Sequence, residues 1–172
     1  MTFVLDDQQQ MLQETFERFF REKGSIERLR QLREHRDQPG CDPELWREMA
    51  ELGFCGLMID EAHGGLGMGL REMALLLQHA GQWLMPEPLL SSALLAPSLL
   101  RLAGDSAQQD RWLPELAAGT TIGAVAWSEP TTRLDPLDQR TTATAAGNDW
   151  VLNGEKQFVL DGNVASLLIV SA

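Results

Sequence analysis

The hydrophobic period of this chain changes near Thr120, and that change restricts the available folds more than any other feature. Upstream, apolar residues recur every three to four positions, which gives a helix one buried face. Downstream, Ile122, Ala124 and Ala126 alternate with other residues as a strand does. Thr141-Thr142-Ala143-Thr144 is β-prone, and Gly147-Asn148-Asp149 turns the chain into Trp150-Val151-Leu152. Asn153-Gly154 predicts a two-residue hairpin leading into Gln157-Phe158-Val159-Leu160. The final run, Leu167-Leu168-Ile169-Val170-Ser171-Ala172, reads as a buried strand whose apolar edge calls for partners. The expectation is a helical domain over residues 1–119, then the truncated start of a mostly antiparallel sheet over residues 120–172, within a larger protein.

Helix boundaries are marked by capping chemistry. Asp6 and Asp7 start a helix carrying Leu12, Phe16 and Phe20. Ile26, Leu29 and Leu32 form a second stripe, which Pro39-Gly40 ends. Asp42-Pro43 is a capping carboxylate followed by proline at the first helical position; Leu45, Trp46, Met49 and Leu52 follow on one face, and Gly53 closes the helix. Met73, Leu76, Leu77 and Ala80 have core spacing. Residues 89–103 are apolar almost all round, and Pro97 predicts a kink or two shorter helices there. A last helix runs from Ser106 to Leu116, and Gly119 closes the helical part. Trp46, Trp83 and Trp112 read as core anchors.

Charge and composition exclude several functions. The net charge is −11, with 14 basic and 25 acidic residues. Nucleic-acid binding needs clustered Lys and Arg, and an anionic membrane surface likewise attracts basic segments; neither partner is expected. No apolar stretch is long enough to span a bilayer. No signal peptide is visible, and Cys41 and Cys55 read as free thiols in a reducing cytoplasm. His35, His63 and His79 are scattered, so no metal site is expected.

Two motifs invite a chemical reading. Gly64-Gly65-Leu66-Gly67-Met68-Gly69 precedes a helix, with Leu57-Met58-Ile59 as a conceivable strand before it, which is superficially a phosphate cradle. The surrounding helices are not a βαβ unit, so a tight structural turn is the better reading. His63 has no placed Ser, Cys or acid partner and reads as ordinary surface. Trp127, beside a Ser-Glu-Pro turn, is placed to line a flat ligand.

Taken in order, these segments resemble the acyl-CoA dehydrogenase family. Asp60-Glu61-Ala62-His63-Gly64-Gly65-Leu66-Gly67 looks like that family's Pro-Glu-x-Tyr-Gly-Gly-x-Gly loop. Residues 109–119 are similar to the segment leading into its β domain. Ser128-Glu129-Pro130 stands where the family has Thr-Glu-Pro, and Leu152-Asn153-Gly154-Glu155-Lys156 matches Leu-Asn-Gly-x-Lys. The resemblance implies an α+β fold: an N-terminal all-helical bundle domain, the incomplete start of an antiparallel β-barrel domain, and a C-terminal helical domain absent from this chain. It also implies FAD as cofactor, an acyl-CoA substrate oxidised to the 2,3-enoyl-CoA, an electron-transfer flavoprotein as acceptor, and a homo- or hetero-oligomer. Trp127, Ser128 and Phe158 are the implied cofactor-binding residues. The implied general-base glutamate belongs to the missing C-terminal part, so no catalytic residue is assigned, and the fragment alone is expected to be inactive.

The departures from the pattern bear on the cofactor. The family's Thr-Glu-Pro-x-x-Gly-Ser-Asp becomes Ser128-Glu129-Pro130-Thr131-Thr132-Arg133-Leu134-Asp135. Ser128 keeps a hydroxyl, whereas Arg133 replaces glycine and Leu134 replaces serine. The family's Trp-x-Thr becomes Phe158-Val159-Leu160: Phe158 keeps a stacking face, but Leu160 has no side-chain donor. The alternative expectation is therefore a non-catalytic, FAD-deficient partner subunit of a heteromeric dehydrogenase. Leu84-Met85-Pro86-Glu87-Pro88 looks like bacterial members built from unlike subunits.

Overall fold

Asp6 accepts a hydrogen bond from the Gln9 amide while the Gln9 side chain reaches back to the Asp6 amide, and this capping box opens helix α1 (Asp7–Lys23). The computed structural model describes residues 4–34, 39–130 and 138–172. Helix α2 (Ile26–Glu34) fully buries none of its apolar stripe; its inward contribution is Arg28, which pairs with the buried Glu87. Asp42 caps α3 (Pro43–Glu51) through the Glu44 and Leu45 amides, and Gly53, at φ 81, turns the chain away from it. Residues 57–59, read above as a conceivable strand, form turns instead: the Ile59 amide bonds the Gly56 carbonyl, and Leu57 and Ile59 point into the core.

A short 3-10 turn (Glu61–His63) leads to α4 (Leu70–Gln82). The apolar 89–103 stretch divides as expected, in an unusual way. Leu89–Leu95 is π-helical, with the Ala96 amide reaching the Ser91 carbonyl, and α5 (Ala96–Ala103) follows. Pro97 has no N–H to offer Ala93, and its ring would crowd that carbonyl in a regular helix. Helix α6 (Ser106–Ala117) begins with a capping box between Asp105 and Gln108.

The strands are β1 (Gly123–Ala126), β2 (Thr142–Ala146), β3 (Asp149–Asn153) and β4 (Leu167–Val170). The fold class is the expected one, a helical unit followed by a partial sheet, but two details of the sheet differ from the sequence reading. First, β1 pairs with β4 in parallel, Gly123 opposite Leu167 and Ala126 opposite Val170. The intervening 127–166 segment is long enough for the crossover that a parallel pair needs. Second, of the two turns expected here only Gly147-Asn148 makes a hairpin, between antiparallel β2 and β3, where Gly147 supplies a φ of 69. Asn153-Gly154 makes no hairpin, and residues 157–160 are not a strand.

Two apolar clusters hold the molecule. The first joins Phe16, Phe19, Phe20, Trp46, Met49, Phe54, Met73 and Leu76, with the phenylalanine rings meeting edge-on at centroid distances of 5.1–5.3 Å. Trp83 packs half-buried against it. The second joins Ile59, Ala96, Leu100, Leu113 and Leu116, and Trp112 of α6 with Leu167 and Ile169 of β4 pack against it. The parallel pair thus shares a core with α5 and α6, whereas β2 and β3 are exposed along their whole length. No helix among the described residues is long and apolar enough to cross a membrane.

Candidate functional site

Strand β1 runs straight into Trp127-Ser128-Glu129, and the Glu129 carboxylate organises what surrounds it. Glu129 is 2% exposed and accepts from the Arg140 amide at 2.7 Å and the Thr141 amide at 2.9 Å. Lys156 Nζ donates to the same carboxylate at 2.7 Å; its side chain is 8% exposed. The ammonium also reaches the Gln139 side-chain oxygen, Ser171 Oγ at 3.1 Å and, more distantly, the Trp127 carbonyl. Removing two charges from water is costly unless their remaining donors and acceptors are satisfied, and here they are. The Lys156 ammonium, helped by the Thr141 contact, holds the Glu129 carboxyl down to about 2, against the opposing effect of burial.

This ion pair explains why Asn153-Gly154 does not turn. A Cβ on Gly154 would lie 2.4 Å from Thr141 Oγ1 and 2.7 Å from Thr141 Cα, so glycine is needed there for close approach. The chain passes the end of β2, delivers Lys156 to Glu129, and lies along the Trp127–Glu129 segment. The Gln157 amide donates to the Ser128 carbonyl at 2.9 Å, and the Gln157 side chain donates to the Glu129 carbonyl at 3.1 Å.

The three residues expected to face a cofactor are brought to this place. Trp127 is 39% exposed just beyond β1. Ser128 is buried, and among the described residues its hydroxyl has no hydrogen-bond partner. Phe158, next to the Gln157–Ser128 bond, is 82% exposed and left-handed, at φ 53. A bulky residue in that region is a genuine outlier, and such strain gathers at functional sites. Leu160 presents an exposed apolar side chain in the same turn. Arg133 and Leu134 lie outside the described residues.

These features fit a flat, mostly apolar ring system with a polar edge. Two aromatic side chains offer area, and one buried hydroxyl offers an unused hydrogen bond. The sequence reading missed the ion pair beneath them. Its signal was available: Lys156 is one of only two lysines in the chain, placed in otherwise strand-forming sequence.

The other candidates resolve as structural. The glycine loop is a tight turn: a Cβ on Gly65 would lie 2.0 Å from the Ile59 carbonyl oxygen. Glu72 occupies the N-terminus of α4, bonding the Gly69 amide at 3.0 Å and the Gln9 side chain at 2.7 Å, so the chain's own carboxylate fills the position a phosphate would take. His63 is more than ordinary surface. It bridges Asp60 at 2.6 Å and Asp110 at 3.1 Å, tying the 3-10 turn to α6, and these carboxylates raise its pKa, Asp60 foremost. His79 is buried on α4. Both cysteines are buried and unpaired, and burial pushes the Cys55 thiol up to about 12. Among the described residues no group of three or more His, Cys, Asp or Glu is arranged to hold a metal ion.

Comparison with known proteins identifies the family. The family model described as acyl-CoA dehydrogenase, N-terminal domain, matches residues 6–120. The benzylmalonyl-CoA dehydrogenase of Aromatoleum aromaticum is 33% identical over all of this chain and 45% of its own length. In the ChsE4-ChsE5 complex from Mycobacterium tuberculosis, one chain superposes with a TM-score of 0.87 and 26% identity, over 100% of this chain and 45% of that one. An acyl-CoA dehydrogenase complexed with FAD from Bacillus anthracis superposes with a TM-score of 0.84 and 28% identity, over 98% of this chain and 29% of that one. The chain spans less than half the length of each of these proteins. Family model, full-length sequence similarity and shared fold agree: the chain belongs to the acyl-CoA dehydrogenase family.

Proposed function

We propose that this chain is the N-terminal portion of a flavoprotein subunit that oxidises an acyl-CoA thioester to the 2,3-enoyl-CoA. The observation that carries this reading is the backbone bond from Gln157 to Ser128, which sets the exposed, left-handed Phe158 next to the Trp127-Ser128 segment. Trp127 and Phe158 present apolar area to the isoalloxazine system, and Ser128 Oγ supplies a hydrogen bond to its polar edge. FAD, when bound, is the hydride acceptor. The Glu129–Lys156 pair holds the two segments together beneath that surface. The base that removes the substrate proton is assigned to a part of the protein outside residues 1–172. Residues 1–119 and 120–172 are then two domains of a three-domain subunit that is cytoplasmic, oligomeric and reoxidised by an electron-transfer flavoprotein. The Mycobacterium relative, a complex of two named components, supports assembly with a second subunit.

One observation favours a second reading. Leu160, 53% exposed in the Phe158 turn, brings no donor to the site. A subunit short of polar flavin contacts suits the role of an FAD-deficient partner that completes an active homologue. The visible spectrum of the complete gene product separates the two. Flavin absorbance in protein produced alone supports the enzyme. Colourless protein alone, with flavin appearing only on co-production with a homologous subunit, supports the partner role. Absence of flavin and of acyl-CoA-dependent dye reduction in both preparations overturns both readings.

A further inference from the structure

The Phe158 turn is held at both ends. At its start, Gln157 is bonded to Ser128 and Glu129. At its far end stands Asp161, left-handed at φ 56, whose carbonyl accepts the Val164 and Ala165 amides at 3.1 Å. Its carboxylate accepts the Ser91 hydroxyl at 2.5 Å. Ser91 is fully buried in the π-helical segment, 70 residues away in sequence. Among the described residues Asp161 forms no ion pair. The nearby cation, Arg28, is engaged with Glu87, and the field of Asp161 falls on the buried Cys41, whose thiol is raised first by burial and then by Glu87 and Asp161. The hydroxyl therefore supplies the neutral donor that this acidic pocket needs.

The neighbouring residue has a parallel task. Ser92 Oγ, also buried, accepts the Gly123 amide at 3.0 Å at the start of β1. Strand β1 leads directly to Trp127-Ser128. Two consecutive serines thus hold the two arms of one surface: Ser92 the arm ending in Trp127-Ser128, and Ser91 the arm carrying Phe158. Regular helix would space and orient these hydroxyls differently; the wider π turn is what sets them, and π-helical turns recur at functional sites.

We propose that Ser91 is a positioning residue that, acting through Asp161, sets the Phe158 arm of the flavin-facing surface relative to the Trp127-Ser128 arm. The assignment rests on the reading that Phe158 faces flavin. Asp161→Asn is the conservative variant, because asparagine tolerates the left-handed region and its amide oxygen still accepts from Ser91. Loss of one hydrogen bond to a charged group should speed local amide exchange about tenfold or more.

The test combines amide hydrogen exchange with flavin spectroscopy on the complete gene product. Ser91→Ala and Asp161→Ala are expected to accelerate exchange at Gly162, Val164 and Ala165, leave α1 and α4 unchanged, weaken FAD binding and shift the visible flavin bands. Asp161→Asn should restore most of both signals, and this variant keeps the test usable if Ser91→Ala fails to fold. Unchanged exchange in Ser91→Ala and Asp161→Ala overturns the role of the Ser91–Asp161 bond. Faster exchange with normal FAD affinity and spectrum, where Phe158→Ala impairs both, overturns the positioning role and leaves the flavin reading standing. If Phe158→Ala also leaves flavin untouched, the flavin-facing assignment of Phe158 fails, and the positioning role fails with it.

Discussion

The helical part and the 127–160 stretch bury opposite kinds of side chain. In the helical part Phe16, Phe19, Phe20 and Phe54 fill the core, and charged residues mostly line the surface, with Glu87 as a buried exception. Around Glu129 the centre is an ion pair, and the aromatic side chains Trp127, Trp150 and Phe158 face outward. An apolar core stabilises without specifying direction. A hydrogen-bonded charge pair adds less net stability but fixes orientation, because each lone pair and proton has an assigned partner. The first region is built to stay folded. The second is built to hold an exposed surface in one geometry.

Four substitutions test that contrast, and the largest stability loss is expected in the aromatic core. Phe20→Ala removes a fully buried ring and should destabilise the chain by about 3–5 kcal/mol in urea titrations. A loss below about 1 kcal/mol would mean the core collapses around the gap and is not the close-packed body described.

Lys156→Met should act more locally. It leaves Glu129 buried without its cation, so amide protection is expected to fall at residues 140, 141 and 157 while far-ultraviolet circular dichroism of the helices persists. The same pair predicts a pH dependence. The Glu129 carboxyl lies well below its ordinary value near 4.5, at about 2 in the folded chain. Its contribution is therefore fully present above about pH 4.5 and lost as pH falls towards 2. Stability of the Glu129→Gln variant should be flatter across that window. A slope identical to that of the unaltered chain would place the acid sensitivity elsewhere.

The smallest effect has the opposite sign. Phe158→Gly relieves a left-handed phenylalanine that packs against little, and should raise thermal stability by about 1 kcal/mol. FAD affinity of the complete gene product should fall at the same time. Stability and affinity falling together would show that Phe158 is a packing residue and not an exposed ligand surface.

Much of the helical part was legible in the sequence because its signals are local. Asp6, Asp42 and Asp105 cap their helices through amides two or three residues away, and the spacing of Phe16 and Phe20 already names the buried face. The strand region was legible as strand but not as topology. Gly147-Asn148 and Asn153-Gly154 both carry turn signals, yet only the first makes a hairpin, and the glycine of the second answers to Thr141. Trp127, Ser128 and Phe158 were picked out by motif. That Phe158 stands next to the Ser128 segment depends on the Gln157–Ser128 bond between residues some thirty positions apart.

The sequence by itself determined the main helices, the change from helix to strand and the family, since each follows from residues close together in the chain. Only the tertiary structure decided the parallel pairing of β1 with β4, the capture of Lys156 by Glu129 and the reach of Ser91 to Asp161. The physical reason is that a buried charge or hydroxyl takes whichever partner the packing brings within hydrogen-bond distance, and separation along the chain carries no record of that choice.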